Sequence, residues 1–297
     1  MKKLLEAAVL AGVLLLASGC GSAEMPENKE TYSYASYAHP EMVGAIDVSS
    51  ILSVAVNRPE GSWRVSYNPE KDTEAFYSAW EVTEGYQTVR MADISSVRTL
   101  FEAVETLAES RQGQKAGQIE EGKSGVTVIY EDQSEHEVLS VRFSLDDLPE
   151  GALMLQSLTA FDLILKLPVI ENLVDLKRVE LYFNTEKVNL SRKSDCWVLN
   201  GKEITQEKAR ALYQIVMGIL LQGELEDKSK DFEVPGESLL TVRYIEKAGR
   251  TVEVIFGPSN DYRCQVEIDG AEEFWVYEED VENIISTFTK EPVSYTH

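Results

Sequence analysis

From residue 43 onward the chain sets out the same series of elements twice, and this doubling restricts its fold more than any other feature. The first passage opens with Ile51-Leu52-Ser53-Val54-Ala55-Val56, continues with Trp63-Arg64-Val65-Ser66-Tyr67, and reaches Trp80-Glu81-Val82. The second answers with Leu176-Lys177-Arg178-Val179-Glu180-Leu181, Val188-Asn189-Leu190 and Cys196-Trp197-Val198-Leu199. Apolar and polar residues alternate in each, which predicts strands with one buried face. The spacer between Tyr67 and Trp80 is longer than the one between Leu190 and Trp197.

A helix is predicted next in both passages. In the first, Asp93 is the cap and Ile94, Val97, Leu100, Val104 and Leu107 form an apolar stripe, with Ser95, Arg98, Glu102 and Glu105 on the wet side. In the second, Thr205 is the cap, the stripe is Ala209, Leu212, Val216 and Ile219, and Gly223 is the expected stop, as Gly113 is in the first. Each helix leads through a polar loop to a strand, Val126-Thr127-Val128-Ile129-Tyr130 or Leu240-Thr241-Val242-Arg243-Tyr244. Turn residues at 131–134 and 246–249 then feed strands at 138–143 and 252–256, giving a hairpin in each passage. A closing helix is expected from Leu158, Phe161, Leu163, Ile164 and Leu165 before Pro168, matched by Val281, Ile284, Ile285 and Phe288 before Pro292. The hairpin connections are too short for parallel crossovers. The expectation is therefore an α+β fold of two similar units, 43–167 and 168–292, each a mainly antiparallel β-sheet with amphipathic helices packed on one face, and a tail at 293–297.

The first residues carry an address. Lys2 and Lys3 precede an apolar run over residues 7–17, and Ala17-Ser18-Gly19-Cys20 follows, which reads as a lipoprotein signal at 1–19 cleaved before Cys20. Such signals usually carry Leu three residues before the cysteine; here Ala17 stands there and Leu16 lies one further back. A spanning helix needs about 20 apolar residues, more than this run supplies. Cys20 is the expected lipidation site, which makes the protein extracytoplasmic and lipid-anchored to the cell membrane. Residues 20–42 are polar, contain Pro26, Pro40, Tyr32, Tyr34 and Tyr37, and read as a flexible linker.

The net charge of −23 becomes −24 once residues 1–19, with two lysines and one glutamate, are removed. Nucleic acid and anionic lipid headgroups are disfavoured as partners on that ground. A content of 43% apolar residues supplies a core, so the chain is no mere tether. Beyond Cys20 only Cys196 and Cys264 remain, Cys264 in an alternating run with Tyr262, Val266 and Ile268. An exported location permits a disulfide between them, but sequence does not place their Cα atoms, and two buried free thiols are the plainer reading.

Gly117-Gln118-Ile119-Glu120-Glu121-Gly122-Lys123-Ser124 has the spacing of a phosphate-binding loop, yet the helix precedes it and the strand follows, the reverse of what phosphate binding needs. No nucleotide is expected. His39, His136 and His297 have no zinc-ligand spacing, no G-x-S-x-G turn is present, and no cofactor or metal is expected. The clusters Asp146-Asp147, Glu224-Leu225-Glu226-Asp227 and Glu278-Glu279-Asp280 lack the pattern of a calcium loop and read as solvated surface. Trp63, Trp80, Trp197 and Trp275 sit in strand-like segments, where packing is the ordinary role and a sugar platform the alternative.

The strand pair ending at Trp80-Glu81-Val82 or Trp197-Val198-Leu199, the capped helix and the Thr-Val-x-Tyr strand with its hairpin resemble the bacterial envelope proteins grouped as domain of unknown function family 4340, over residues 43–291. The resemblance implies a membrane-anchored, non-enzymatic accessory protein, often beside an ABC-type export system of the gliding-motility kind, with a membrane-protein partner. Two other readings stand beside it: an extracytoplasmic binder of a small ligand or glycan in a groove between the units, and a carboxylate-based envelope hydrolase.

Overall fold

Strand β1 (Ile51–Arg58) lies at the heart of the first sheet because its apolar residues can be covered by neighbours on both sides. A tight hairpin brings β2 (Gly61–Tyr67) against it, with Val54 opposite Val65 and Val56 opposite Trp63. On the other side β5 (Gly125–Asp132) sets Val128 and Val126 against the same two valines. The sheet is completed by β3 (Trp80–Glu84), the short edge strand β4 (Arg90–Met91) and β6 (Glu137–Ser144), in the order β4-β3-β2-β1-β5-β6. This arrangement comes from a computed structural model that describes residues 37–59, 61–69, 79–86, 89–116, 123–132, 134, 136–171, 173–194, 196–225 and 238–290. The signal, Cys20, Tyr32, Tyr34, His297 and the tail at 293–297 lie outside the described residues.

The second sheet starts in the same manner and then grows. Strand β7 (Leu176–Phe183) pairs with β8 (Glu186–Lys193) on one side and β12 (Leu240–Glu246) on the other; β9 (Cys196–Leu199), β10 (Lys202–Ile204) and β13 (Thr251–Asn260) take the outer places. Beyond β13 come β14 (Arg263–Ile268), β15 (Ala271–Tyr277) and the short β11 (Gly223–Glu224), giving β10-β9-β8-β7-β12-β13-β14-β15-β11. Both sheets are antiparallel throughout their named strands. The opening strand of each carries a register shift near its start: Leu52 is skipped between Ile51 and Ser53, and Lys177 between Leu176 and Arg178. Measured from that shift, Glu246 holds the place of Tyr130, since these two pair with Leu176 and Ile51. Tyr244 pairs with Val179 and falls two residues from the place that the sequence match gave it.

Helix α1 (Ile94–Arg111) starts where expected, because the Asp93 carboxylate accepts a hydrogen bond from Ser96 N at 2.9 Å. Gly113, at φ +75°, takes the left-handed conformation that lets the chain turn off the helix. Val97, Leu100, Val104 and Leu107 are buried, whereas Ile94, at the first position of the helix, is 64% exposed. The next helical segment departs from expectation. A 3-10 segment (Glu150–Gln156) is followed only by α2 (Ala160–Leu163), one turn held by a capping box in which Thr159 and Asp162 bond each other's backbone N–H. Ile164 and Leu165 then leave the helix, since Ile164 bridges to Ala92 and Leu165 N donates to Met91 O at 2.9 Å.

Helix α3 (Gln206–Met217) is capped by Thr205, which accepts from Lys208 N at 3.2 Å. It stops at Gly218, five residues before the glycine expected to end it. Gly223 instead serves β11: a Cβ there would come 2.5 Å from Trp275 Nε1, so only glycine lets the indole lie against the strand. Helix α4 (Glu278–Lys290) begins with Glu278, Glu279 and Asp280 and ends with Lys290, each sign suited to its end of the helix dipole. Val281, Ile284 and Phe288 turn inward.

One hydrophobic core runs through both sheets. It is joined by the stretch after α2: Asp93 N donates to Leu163 O at 2.8 Å, and Leu221 N to Lys166 O at 2.7 Å, so this stretch lies between the edge of one sheet and the approach to β11. Arg90 and Glu273, both nearly buried, form a 3.0 Å ion pair across the same boundary, with Arg90 over the Phe274 ring. The outer face of the second sheet is charged: Glu180 meets Lys187 at 2.9 Å and Arg178 at 3.3 Å, and Arg243 pairs with Glu253. The end of the segment read as a linker is fixed to the fold. Ala38 bridges to Leu139, His39 Nδ1 lies 3.1 Å from Ser140 O, and Met42 bridges to Lys115.

Candidate functional site

The residues read from sequence as possible chemistry are scattered. His136 sits in the β5–β6 turn at φ 55°, its side chain 82% exposed and 3.8 Å from Glu131. Residues 117–122 of the loop with phosphate-loop spacing lie outside the described residues; α1 ends before it and β5 begins after it, the order anticipated. Asp147 O accepts from Arg111 Nη2 at 2.9 Å, Glu224 belongs to β11, and Glu278-Glu279-Asp280 form the first turn of α4. Glu226 and Asp227 lie outside the described residues. Among the described residues no group of three or more His, Cys, Asp or Glu is placed to hold a metal ion. Cys196 and Cys264 are free thiols, Cys264 buried and Cys196 only half-buried. Tyr262, expected on the buried face with Cys264, is 82% exposed because it lies in the turn before β14 at φ 67°.

The feature that sequence reasoning did not find is a half-enclosed recess of about 540 Å³ beside α3. One wall is the segment that leaves the seam between the sheets, with Leu167, Ile170, Leu173 and Val174. A second is the face of α3 bearing Gln206, Arg210, Tyr213, Gln214 and Met217, spaced at turns of the helix. The third comes from the second sheet, where Arg192 near the end of β8 stands directly opposite Trp197 on β9. Alternation sets this last pair: Val188 and Leu190 point into the core, and Arg192 continues their side of β8 out to the recess. The volume lies within the range of about 300–1,000 Å³ that small-ligand sites occupy.

Glu171 sits at the back. Its carbonyl accepts from the Tyr213 hydroxyl, and its carboxyl, 7% exposed, is 3.7 Å from Arg250 Nη1. Burial, the neighbouring charge of Glu246 and a hydrogen bond to that residue push its pKa up to about 7, with Arg250 opposing. The Glu171 carboxyl therefore still holds its proton in part near neutrality. A hydrogen-bonded pair is closer than the separation of about 5–9.5 Å that glycoside hydrolysis uses, so this pair lends no support to the hydrolase reading. A smaller recess of about 210 Å³ adjoins the first through Leu167, Ile170 and Glu171, and is lined on its far side by Arg90, Arg250 and Asp269.

Among the described residues no helix is long and apolar enough to cross a membrane. Neither a family model, nor a curated protein, nor a solved structure matches the chain.

Proposed function

We propose that this chain is a non-enzymatic, extracytoplasmic lipoprotein, held at the cell membrane through lipid on Cys20, that acts as a binding or accessory protein of a membrane complex. An ABC-type transporter is the complex that the family resemblance implies. The observation that carries the binding role is the recess beside α3, an apolar concavity with polar groups at its margin, built on a helix and two strands of a fixed scaffold. The doubled order of elements supports reading the chain as two related α+β units: β1 and β7 are each flanked by a hairpin partner and by the strand after a capped helix, and each has its register shift near the start. The extension β14-β15-β11 belongs to the second alone.

Two measurements test this. Metabolic labelling with a palmitate analogue should mark the protein and be lost in Cys20→Ala; an unlabelled chain ends the anchoring proposal. A photoreactive residue at Val174 should cross-link a stoichiometric ligand or membrane partner in intact cells, while one at Lys187 on the charged outer face should not. Equal yields from both positions, or none from Val174, would remove the recess from the function.

A further inference from the structure

Arginine in the core-facing register of a strand needs a reason. Val188 and Leu190 on β8 are buried, and Arg192, next on that side, is half-buried against Trp197. Among the described residues its side chain makes no ion pair and no hydrogen bond. In a chain with 51 acidic and 28 basic residues, a carboxylate partner would have been easy to supply. Arg210, from the facing helix, lines the same recess, and its electrostatic neighbour is Glu207 on its own helix. The only acid lining the recess among the described residues is Glu171, whose carboxyl is engaged with Glu246. Gln206 and Gln214 flank Arg210 on the helix face, Trp197 and Tyr213 add ring surface, and the wall opposite is aliphatic, with Leu167, Ile170, Leu173 and Val174.

Resting on the binding reading above, we propose that the recess binds a single-chain amphiphile with an anionic head, its alkyl chain against Ile170, Leu173 and Met217 and its carboxylate or phosphate met by Arg192 together with Arg210. The aliphatic wall gives a chain somewhere to leave water. A guanidinium presents a fork of donors matched to either head group, and its attraction is strengthened where water is partly excluded. Cationic amphiphiles would leave the two arginines facing a like charge.

The test uses the mature chain carrying Cys20→Ser, which needs no detergent, titrated by calorimetry with decanoate, decyl phosphate, decanol and decyltrimethylammonium, all below micelle formation. Decanoate and decyl phosphate should bind about tenfold or more tighter than decanol, with decyltrimethylammonium weakest. Arg192→Gln should bring the anions down to the level of decanol while leaving decanol unchanged, and Ile170→Trp, which fills the recess, should abolish all binding. Equal affinity for decanoate and decanol overturns the anionic head and leaves a neutral-ligand recess standing. Binding that survives Ile170→Trp overturns the location. Flotation on phosphatidylglycerol vesicles that depends on Arg192, with no binding of any decyl probe, assigns the arginines to a bilayer headgroup and overturns the single-chain ligand. The cross-linking at Val174 decides the binding reading independently of these outcomes.

Discussion

Replacing Glu171 with Gln should make the protein more stable above neutrality and flatten its pH dependence. The folded pKa of Glu171 is raised from an ordinary 4.5 to about 7, first by burial and then by the charge of Glu246, with Asp175 adding to it and Arg250 opposing it. The folded state thus holds a proton that the unfolded chain has lost between these values, so the contribution of this group is complete below about pH 4.5 and is lost as pH rises through 7. At about 1.4 kcal/mol for each tenfold change in the protonation equilibrium, the ceiling is about 3 kcal/mol. The open side of the recess admits water and brings the expected figure to about 1–3 kcal/mol. Gln keeps the shape, donates to Glu246 as the protonated acid does, and has no charge to lose. Urea denaturation at pH 5, 6, 7 and 8 should show the parent chain losing stability across this window, while Glu171→Gln stays nearly level and is the more stable of the two at pH 8. Glu267, raised by burial and by Glu272 and Glu253, contributes with the same sign and remains in both proteins. An unchanged slope in the variant, or a variant less stable than the parent at pH 8, would refute the buried carboxyl pair.

Gly223→Ala should cost about 1–3 kcal/mol through the clash with the Trp275 indole, seen as a lower denaturation midpoint; a neutral effect would mean that β11 is free to move away. Arg90→Met should cost about 3–5 kcal/mol because Glu273 stays buried without its guanidinium, and adding Glu273→Gln should recover part of the loss; strict additivity in that cycle would refute the coupling. Thr205→Ala should lower stability by about 0.5–2 kcal/mol by removing the α3 cap, with Thr205→Ser restoring most of it. In the Cys20→Ser chain, a thiol reagent should modify Cys196 in the native state and Cys264 only after denaturation, because burial pushes the Cys264 thiol up to about 12. Two native equivalents would contradict the burial, and none after denaturation would reveal a disulfide.

The parts of the fold legible in the sequence are those fixed by neighbours along the chain. Alternation marked the paired strands, Asp93 and Thr205 marked two helix starts, and Gly113 marked a stop, since each depends on backbone groups only a few residues away. The misplaced features depend on partners far along the chain. Ile164 and Leu165 fit a helix pattern, yet Ala92 and Met91 offer their backbone a better set of hydrogen bonds. Gly223 looked like a helix stop, and it is a glycine because Trp275 lies against it.

The sequence alone determined the α+β character and the antiparallel hairpins, because turn length and side-chain period leave few other ways to bury those apolar faces. Only the tertiary structure decided the candidate site. Glu171 comes from a connecting segment, Arg192 from the end of a strand and Tyr213 from a helix, and none has a local pattern that separates it from ordinary surface residues. Their proximity follows from packing of the seam segment against α3, where the Tyr213 hydroxyl donates to the Glu171 carbonyl, a contact between residues distant in sequence and so invisible to any local reading.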